Sequence, residues 1–216
     1  MSLPRGLYAV TSEAVCADEN RLRAAVAAAL EGGAAMIQYR DKQARGPQRQ
    51  ARAELLAGLC RAAGACFIVN DEPALAAAVG ADGVHLGRAD AGVAAARAQL
   101  GPDAIIGVSC GPYLERVRAA DAAGADYVAV GRLFTSTTKP EAPGATLADL
   151  RAARAATRLP LCAIGGITPE RAPEVVAAGA DIIAAVAGVF DAADVRAAAA
   201  AYTAAFTSHS QKGSPA

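Results

Sequence analysis

The stretch Gly80-Ala81-Asp82-Gly83-Val84-His85-Leu86-Gly87-Arg88-Ala89-Asp90 decides the fold. A glycine of the kind that ends helices leads into a short apolar run, and the run breaks off into glycine and charge before the next helical stretch. Working outward, the helix-ending phrase returns as Gly32-Gly33-Ala34-Ala35, Gly64-Ala65-Cys66, Gly124-Ala125-Asp126-Tyr127 and Gly179-Ala180-Asp181-Ile182. The apolar run with a polar break returns as Met36-Ile37 into Gln38-Tyr39-Arg40-Asp41-Lys42, Phe67-Ile68-Val69 into Asn70-Asp71, and Ile105-Ile106-Gly107-Val108 into Ser109. Between these phrases lie Ala- and Arg-rich segments of helical period, at 21–30, 48–62, 114–123 and 169–178. The repeat is therefore a βα unit.

Strands are expected at 7–10, 36–38, 67–69, 84–86, 105–108, 127–130, 161–164 and 182–186, each followed by a helix. Eight such units suit a TIM (β/α)8 barrel, an α/β fold of one domain. An open doubly wound sheet gives the same local signals. Strand number favours the closed form, although helical periodicity does not itself show closure. Thr168-Pro169-Glu170 reads as a helix start, with Thr168 as N-cap and proline at the first helical position. The barrel is expected over residues 1–206, and the polar residues 207–216 as a frayed tail.

The chain has 216 residues, with 21 basic and 21 acidic side chains and a formal net charge of zero. No global field favours nucleic acid or an anionic membrane, so any anionic ligand must be held locally. Apolar residues make up 54%, much of it alanine, and no uninterrupted run approaches the ~18 residues of a membrane span. The start, Met1-Ser2-Leu3-Pro4-Arg5-Gly6, lacks the apolar core of a signal peptide. A cytoplasmic protein is expected. Five cysteines without a C-x-x-C argue against a disulfide framework and a zinc knuckle, and read as core residues, with Cys110 beside a strand end.

In a parallel βα barrel the strand C-termini gather around one mouth, so the polar breaks converge there. Asp71 and Asp90 end successive strands, and two carboxylates with open water positions suit Mg²⁺. Asp71 also reads as an N-cap for the helix that follows it. Arg40, Lys42 and Lys139 bring three cations to the same mouth, and a polyanion is their natural partner. Gly165-Gly166 and Val186-Ala187-Gly188 end the last two strands, where bare backbone N–H groups hold phosphate in this fold. The connection from Arg132 to Ala145, with its Thr135-Ser136-Thr137-Thr138-Lys139-Pro140 run, reads as an active-site loop. His85 lies within an apolar run and reads as a core residue. With two histidines in the chain, no Ser-His-Asp or Cys-His set assembles.

Taken together, Gln38-Tyr39-Arg40-Asp41-Lys42, Val69-Asn70-Asp71, His85-Leu86-Gly87-Arg88-Ala89-Asp90, Gly107-Val108-Ser109, Ser136-Thr137-Thr138-Lys139 and Ala163-Ile164-Gly165-Gly166-Ile167 resemble the thiamine phosphate synthase family, in order from about Tyr8 to Val189. The resemblance implies a transferase that joins hydroxymethylpyrimidine diphosphate to hydroxyethylthiazole phosphate and releases pyrophosphate. It further implies that Gln38, Arg40, Lys42, Asn70, Ser109 and Lys139 hold the pyrimidine diphosphate, with Arg40, Lys42, Lys139 and Ser109 assisting catalysis. Asp71 and Asp90 would bind Mg²⁺, and Ser136, Thr137, Thr138, Gly166, Val186 and Ala187 the thiazole phosphate.

Departures from the family pattern are Gly111 for a frequent histidine, Ser136 for threonine, Thr135 for proline and Ala187 for serine. The last removes one phosphate contact, worth about 1 kcal/mol. Two alternatives stay open: a thiazole tautomerase, which needs neither metal nor diphosphate cations, and a non-catalytic thiazole phosphate binding protein. Small-molecule partners are implied in every case, and a homo-oligomer is compatible with the sequence.

Overall fold

The computed structural model describes residues 3–87, 92–134 and 144–210. Eight parallel strands close into a barrel in sequential order: β1 (Gly6–Val10), β2 (Met36–Tyr39), β3 (Cys66–Asn70), β4 (Gly83–Leu86), β5 (Ile105–Ser109), β6 (Tyr127–Gly131), β7 (Leu161–Ile164) and β8 (Ile182–Ala185). Closure is by β1 against β8, with Leu7 opposite Ile183. The expected strands are all present within a residue or two of their bounds.

Helices fill the connections: α1 (Glu13–Cys16) and α2 (Glu19–Glu31) after β1, α3 (Gly46–Ala63) after β2, α4 (Pro73–Val79) after β3, α5 (Val93–Leu100) after β4 and α6 (Leu114–Ala122) after β5. Then come α7 (Leu147–Ala156), α8 (Ala172–Ala177), α9 (Ala187–Phe190) and α10 (Val195–Ser210). Two boundaries differ from expectation. Helix α8 begins at Ala172, because Pro169-Glu170-Arg171 form a tight turn in which the Thr168 carbonyl accepts from both Arg171 and Ala172 N–H. Helix α10 runs on through Ser210, past the onset of polar composition at 207, and 211–216 lie outside the described residues.

Alternation along each strand sorts the side chains into two cores. Tyr8, Met36, Ile68, Tyr127, Cys162 and Ile182 fill the barrel interior. Leu7, Ile37, Phe67, Val84, Ile106 and Ile183 face outward into the layer shared with the helices. The Tyr127 ring takes the space over Gly107, where a Cβ would come within 2.0 Å of it.

The recurring Gly-Ala-Asp phrase has a structural use at the strand N-termini. Asp82, Asp126 and Asp181 each precede an even-numbered strand and reach back to the strand before it. Their carboxylates accept from Phe67 N–H at 2.7 Å, Ile106 N–H at 2.7 Å and Leu161 N–H at 3.1 Å, while their own N–H groups donate to Phe67, Ile106 and Leu161 carbonyls. Arg97 and Arg154 fix the last two from the helix layer, at 2.7 and 3.0 Å. This rim is remote from the polar strand ends, and it sets register.

Candidate functional site

All the described residues expected at the site lie at the strand C-termini. Gln38 points into the barrel from β2 and is buried, Asn70 and Ser109 end β3 and β5 half-buried, and Arg40 and Lys42 follow β2, the first half-buried and the second exposed. Arg40 is held by its backbone: its N–H donates to Thr11 Oγ1 at 2.8 Å and its carbonyl accepts from that hydroxyl at 3.1 Å. Asp41, between the two cations, turns the other way. Its Oδ1 accepts from Gln43 and Ala44 N–H at 2.9 Å each, and its Oδ2 pairs with buried Arg52 at 2.8 Å. That carboxyl shapes the loop and pairs with neither Arg40 nor Lys42.

Asp71 follows β3 with φ of 62°, in the left-handed region that asparagine and aspartate tolerate better than other side chains. It is not the N-cap of α4, a position taken by Glu72. The Asp71 carboxylate accepts from Gly87 N–H at 3.0 Å and from the Asn70 amide at 2.6 Å. Both donors are neutral, and among the described residues no cationic side chain pairs with it. A half-buried carboxylate oriented by neutral donors, with lone pairs to spare, suits a hard divalent cation. Asp90, its expected companion, lies outside the described residues, as do Ser136, Thr137, Thr138 and Lys139.

The segment after β6 continues along β7 beyond the sheet: Leu133 N–H donates to Ile164 O and Phe134 N–H to Gly165 O, and Ala145 N–H closes back on Arg132 O. These bonds hold Phe134 beside the end of β7 and Ala145 beside Arg132, and residues 135–143 lie outside the described residues. Gly165, with φ of 108°, lies so close to Arg132 that a Cβ would sit 2.5 Å from its Cα. Gly166 follows at φ 61°. Half-buried Val186 and exposed Ala187 end β8 and open α9, whose first N–H groups have no acceptor within the helix. Arg171, which the sequence reading passed over, stacks on Phe134 at 4.4 Å and donates to the Gly166 carbonyl at 3.4 Å, adding a cation beside the glycine pair.

Across the floor of the mouth runs a feature that sequence reading missed. Gln38 Nε2 donates to Tyr8 Oη at 2.7 Å, and Tyr8 Oη lies 3.1 Å from Tyr127 Oη. Tyr127 Oη lies 2.9 Å from His85 Nδ1, and His85 Nε2 lies 2.8 Å from Ser109 Oγ. The His85 and Tyr127 rings stack at 5.6 Å. His85 is thus buried, as expected of a core residue, but it faces the barrel interior and touches a site residue. Strand parity was the available signal: counting in twos from Ser109 through Gly107, which pairs with His85 and Tyr127, puts all of them inside. Burial pushes both tyrosine hydroxyls well above their ordinary value, so they act as neutral donor–acceptors.

The five cysteines are free and buried. Burial pushes the Cys110 thiol up to about 11, which makes it a poor nucleophile at neutral pH. Among the described residues no group of three or more His, Cys, Asp or Glu forms a metal cluster, and no helix is long and apolar enough to cross a membrane.

A closed eight-stranded parallel barrel with its polar residues gathered at one mouth places the chain in the class of (β/α)8 barrel enzymes. A profile of the family described as thiamine monophosphate synthase matches residues 7–189. The thiamine-phosphate synthase of Nitrosococcus oceani is 52% identical over 198 residues, covering 92% of this chain and 91% of the relative. That of Chromobacterium violaceum is 54% identical over 196 residues, covering 91% and 93%. Among solved structures, thiamine phosphate pyrophosphorylase from Pyrococcus furiosus superposes with a TM-score of 0.83 at 34% identity, covering 94% of this chain and 96% of that one. The chain belongs to the thiamine monophosphate synthase family.

Proposed function

We propose that the protein condenses 4-amino-2-methyl-5-(diphosphooxymethyl)pyrimidine with 4-methyl-5-(2-phosphooxyethyl)thiazole, giving thiamine monophosphate and pyrophosphate. The observation that carries this reading is the Asp71 carboxylate, set at the mouth by neutral donors alone while the neighbouring Asp41 is fully engaged with Arg52. One carboxylate is spent on the fold, and the other is kept for a ligand.

In this reading Gln38, Arg40, Lys42, Asn70, Ser109 and Lys139 hold the pyrimidine diphosphate. Ser136, Thr137, Thr138, Gly166, Val186 and Ala187 hold the thiazole phosphate. Asp71 and Asp90 would hold Mg²⁺, which when bound supplies charge neutralisation to the diphosphate. The C–O bond to the diphosphate breaks and its electron pair leaves with pyrophosphate. The thiazole nitrogen lone pair forms the new N–C bond, so no protein nucleophile is required. Arg40, Lys42 and Lys139 stabilise the leaving charge, and the barrel walls keep the nitrogen close to the forming cation. The buried free thiols suit a reducing compartment, and we place the enzyme in the cytoplasm.

A coupled assay of pyrophosphate release with both phosphorylated heterocycles tests the reading. Release that needs both substrates and Mg²⁺ is expected. Binding of the thiazole phosphate without turnover would refute it in favour of a binding protein.

A further inference from the structure

The hydrogen-bonded row on the floor of the mouth has a direction, and its direction determines what Ser109 offers a ligand. Its one fixed donor is the Gln38 amide nitrogen, which gives a hydrogen to Tyr8 Oη. Tyr8 Oη, accepting there, lies 3.1 Å from Tyr127 Oη, and Tyr127 is the only acceptor within reach of the Tyr8 hydrogen among the described residues, so the row is satisfied when Tyr8 donates to it. Tyr127, accepting from Tyr8 in that arrangement, has its hydrogen free for His85 Nδ1, 2.9 Å away. A neutral imidazole that accepts at Nδ1 carries its proton on Nε2, so Nε2 donates to Ser109 Oγ at 2.8 Å. The Ser109 hydrogen is then the one left over. Among the described residues the Ser109 hydroxyl has no second partner, and it is half-buried at the C-terminal end of β5.

We infer that Tyr8, Tyr127 and His85 are positioning residues, which hold Ser109, placed on the pyrimidine diphosphate by the proposed function, as a donor rather than an acceptor toward that ligand. The atom that the Ser109 hydrogen meets must be an acceptor, either a ring nitrogen without hydrogen or a diphosphate oxygen. Tyr8 and Tyr127 are buried completely and His85 is 9% exposed, so water has little access to reverse the row. The space over Gly107 is part of the same device, since any side chain there would displace the Tyr127 ring. The inference deepens the proposed function and depends on it only for the identity of the ligand.

The first test reads the row without turnover. The chain holds two histidines, so full-length protein carrying His209→Gln, free of any histidine tag and labelled with ¹⁵N, gives the spectrum of His85 alone. At neutral pH Nδ1 is expected at the shift of an unprotonated nitrogen and Nε2 at that of a protonated one. The opposite pattern, an averaged pair or two protonated nitrogens would overturn the inference. Gln38→Glu puts an acceptor where the row now begins, and is expected to move the His85 proton from Nε2 to Nδ1. An unchanged spectrum in that variant would break the claimed coupling.

The second test is kinetic. Ser109→Ala and the isosteric Tyr127→Phe are each expected to lower kcat/KM about tenfold, the effect of one hydrogen bond, and the double variant no further than the larger single one. Fully additive losses would show that Tyr127 does not act through Ser109. Should no pyrophosphate be released at all while His85 shows the Nε2–H form, the row stands and the proposed reaction falls.

Discussion

Replacing Asp41 by alanine removes a carboxylate that makes no contact with the mouth, and its effect should be on stability first. The structure gives the magnitude. The Asp41 and Arg52 side chains are 1% and 8% exposed and 2.8 Å apart, and Arg52 Nε has no hydrogen-bond partner among the described residues. Removing one member of such a pair strands a buried guanidinium, at a cost of about 3–5 kcal/mol. For a domain of this size each kcal/mol lowers Tm by roughly 2–4 °C, so thermal unfolding of Asp41→Ala should fall by about 6–20 °C.

Asp41→Asn, which can still accept from Gln43 and Ala44, should lose less. Asp41→Asn with Arg52→Met should lose less than the sum of the two single changes, because the stranded charge is gone. Acid unfolding supplies a further check. Burial raises the Asp41 pKa, but the Ala44 and Gln43 N–H groups and Arg52 outweigh it and hold the carboxyl below its ordinary value. A lowered folded pKa contributes stability above the unfolded carboxyl value of about 3.9 and loses it as pH falls through the folded value. Wild type should therefore lose stability more steeply than Asp41→Asn below about pH 4. A drop in Tm of less than about 2 °C for Asp41→Ala, or strict additivity with Arg52→Met, would refute the reasoning.

Asp71→Asn tolerates the positive φ and can still accept from Gly87, so the fold should hold. Apparent Mg²⁺ affinity should fall at least by the roughly 10–100-fold that losses in a metal's outer shell cost, and a magnesium titration of turnover that overlays wild type would remove Asp71 from the metal site. Gly165→Ala forces a Cβ to 2.5 Å from Arg132 Cα at a φ of 108°, and should destabilise by about 2–3 kcal/mol in urea. By contrast Gly58→Ala, exposed in α3 with nothing within 4 Å of the added carbon, should stabilise by about 0.5–1 kcal/mol. Equal midpoints for the two would show that the close approach at Gly165 does not matter.

The barrel was legible because the local signals agree with one another. Helix-ending glycines, apolar strand runs and polar breaks recur with enough regularity to mark every strand. What the sequence did not reveal has physical causes. The start of α8 was misplaced because Thr-Pro-Glu opens a tight turn as readily as a helix, and the difference lies in which N–H groups the Thr168 carbonyl receives. Helix α10 outran its polar boundary because tertiary packing helps to hold its later turns, as where Thr203 donates to the Gly32 and Gly33 carbonyls. Of the site, Gln38, Arg40, Asn70, Asp71 and Ser109 stood out as polar residues where an apolar run stops. Tyr8, His85 and Tyr127 did not, because they lie inside such runs, and only strand parity distinguishes the lumen from the helix layer.

The three aspartate ties at the strand N-termini bear on all of this. Strand side chains alternate faces, so a slip of a single residue between β5 and β6 would turn Tyr127 out toward the helices and strip His85 of its partner. Asp126, gripping Ile106 N–H on the neighbouring strand, forbids that slip. A hydrogen on Ser109 is thus aimed by a lock at the opposite end of the cylinder, and accuracy in the chemistry is inherited from bookkeeping in the scaffold.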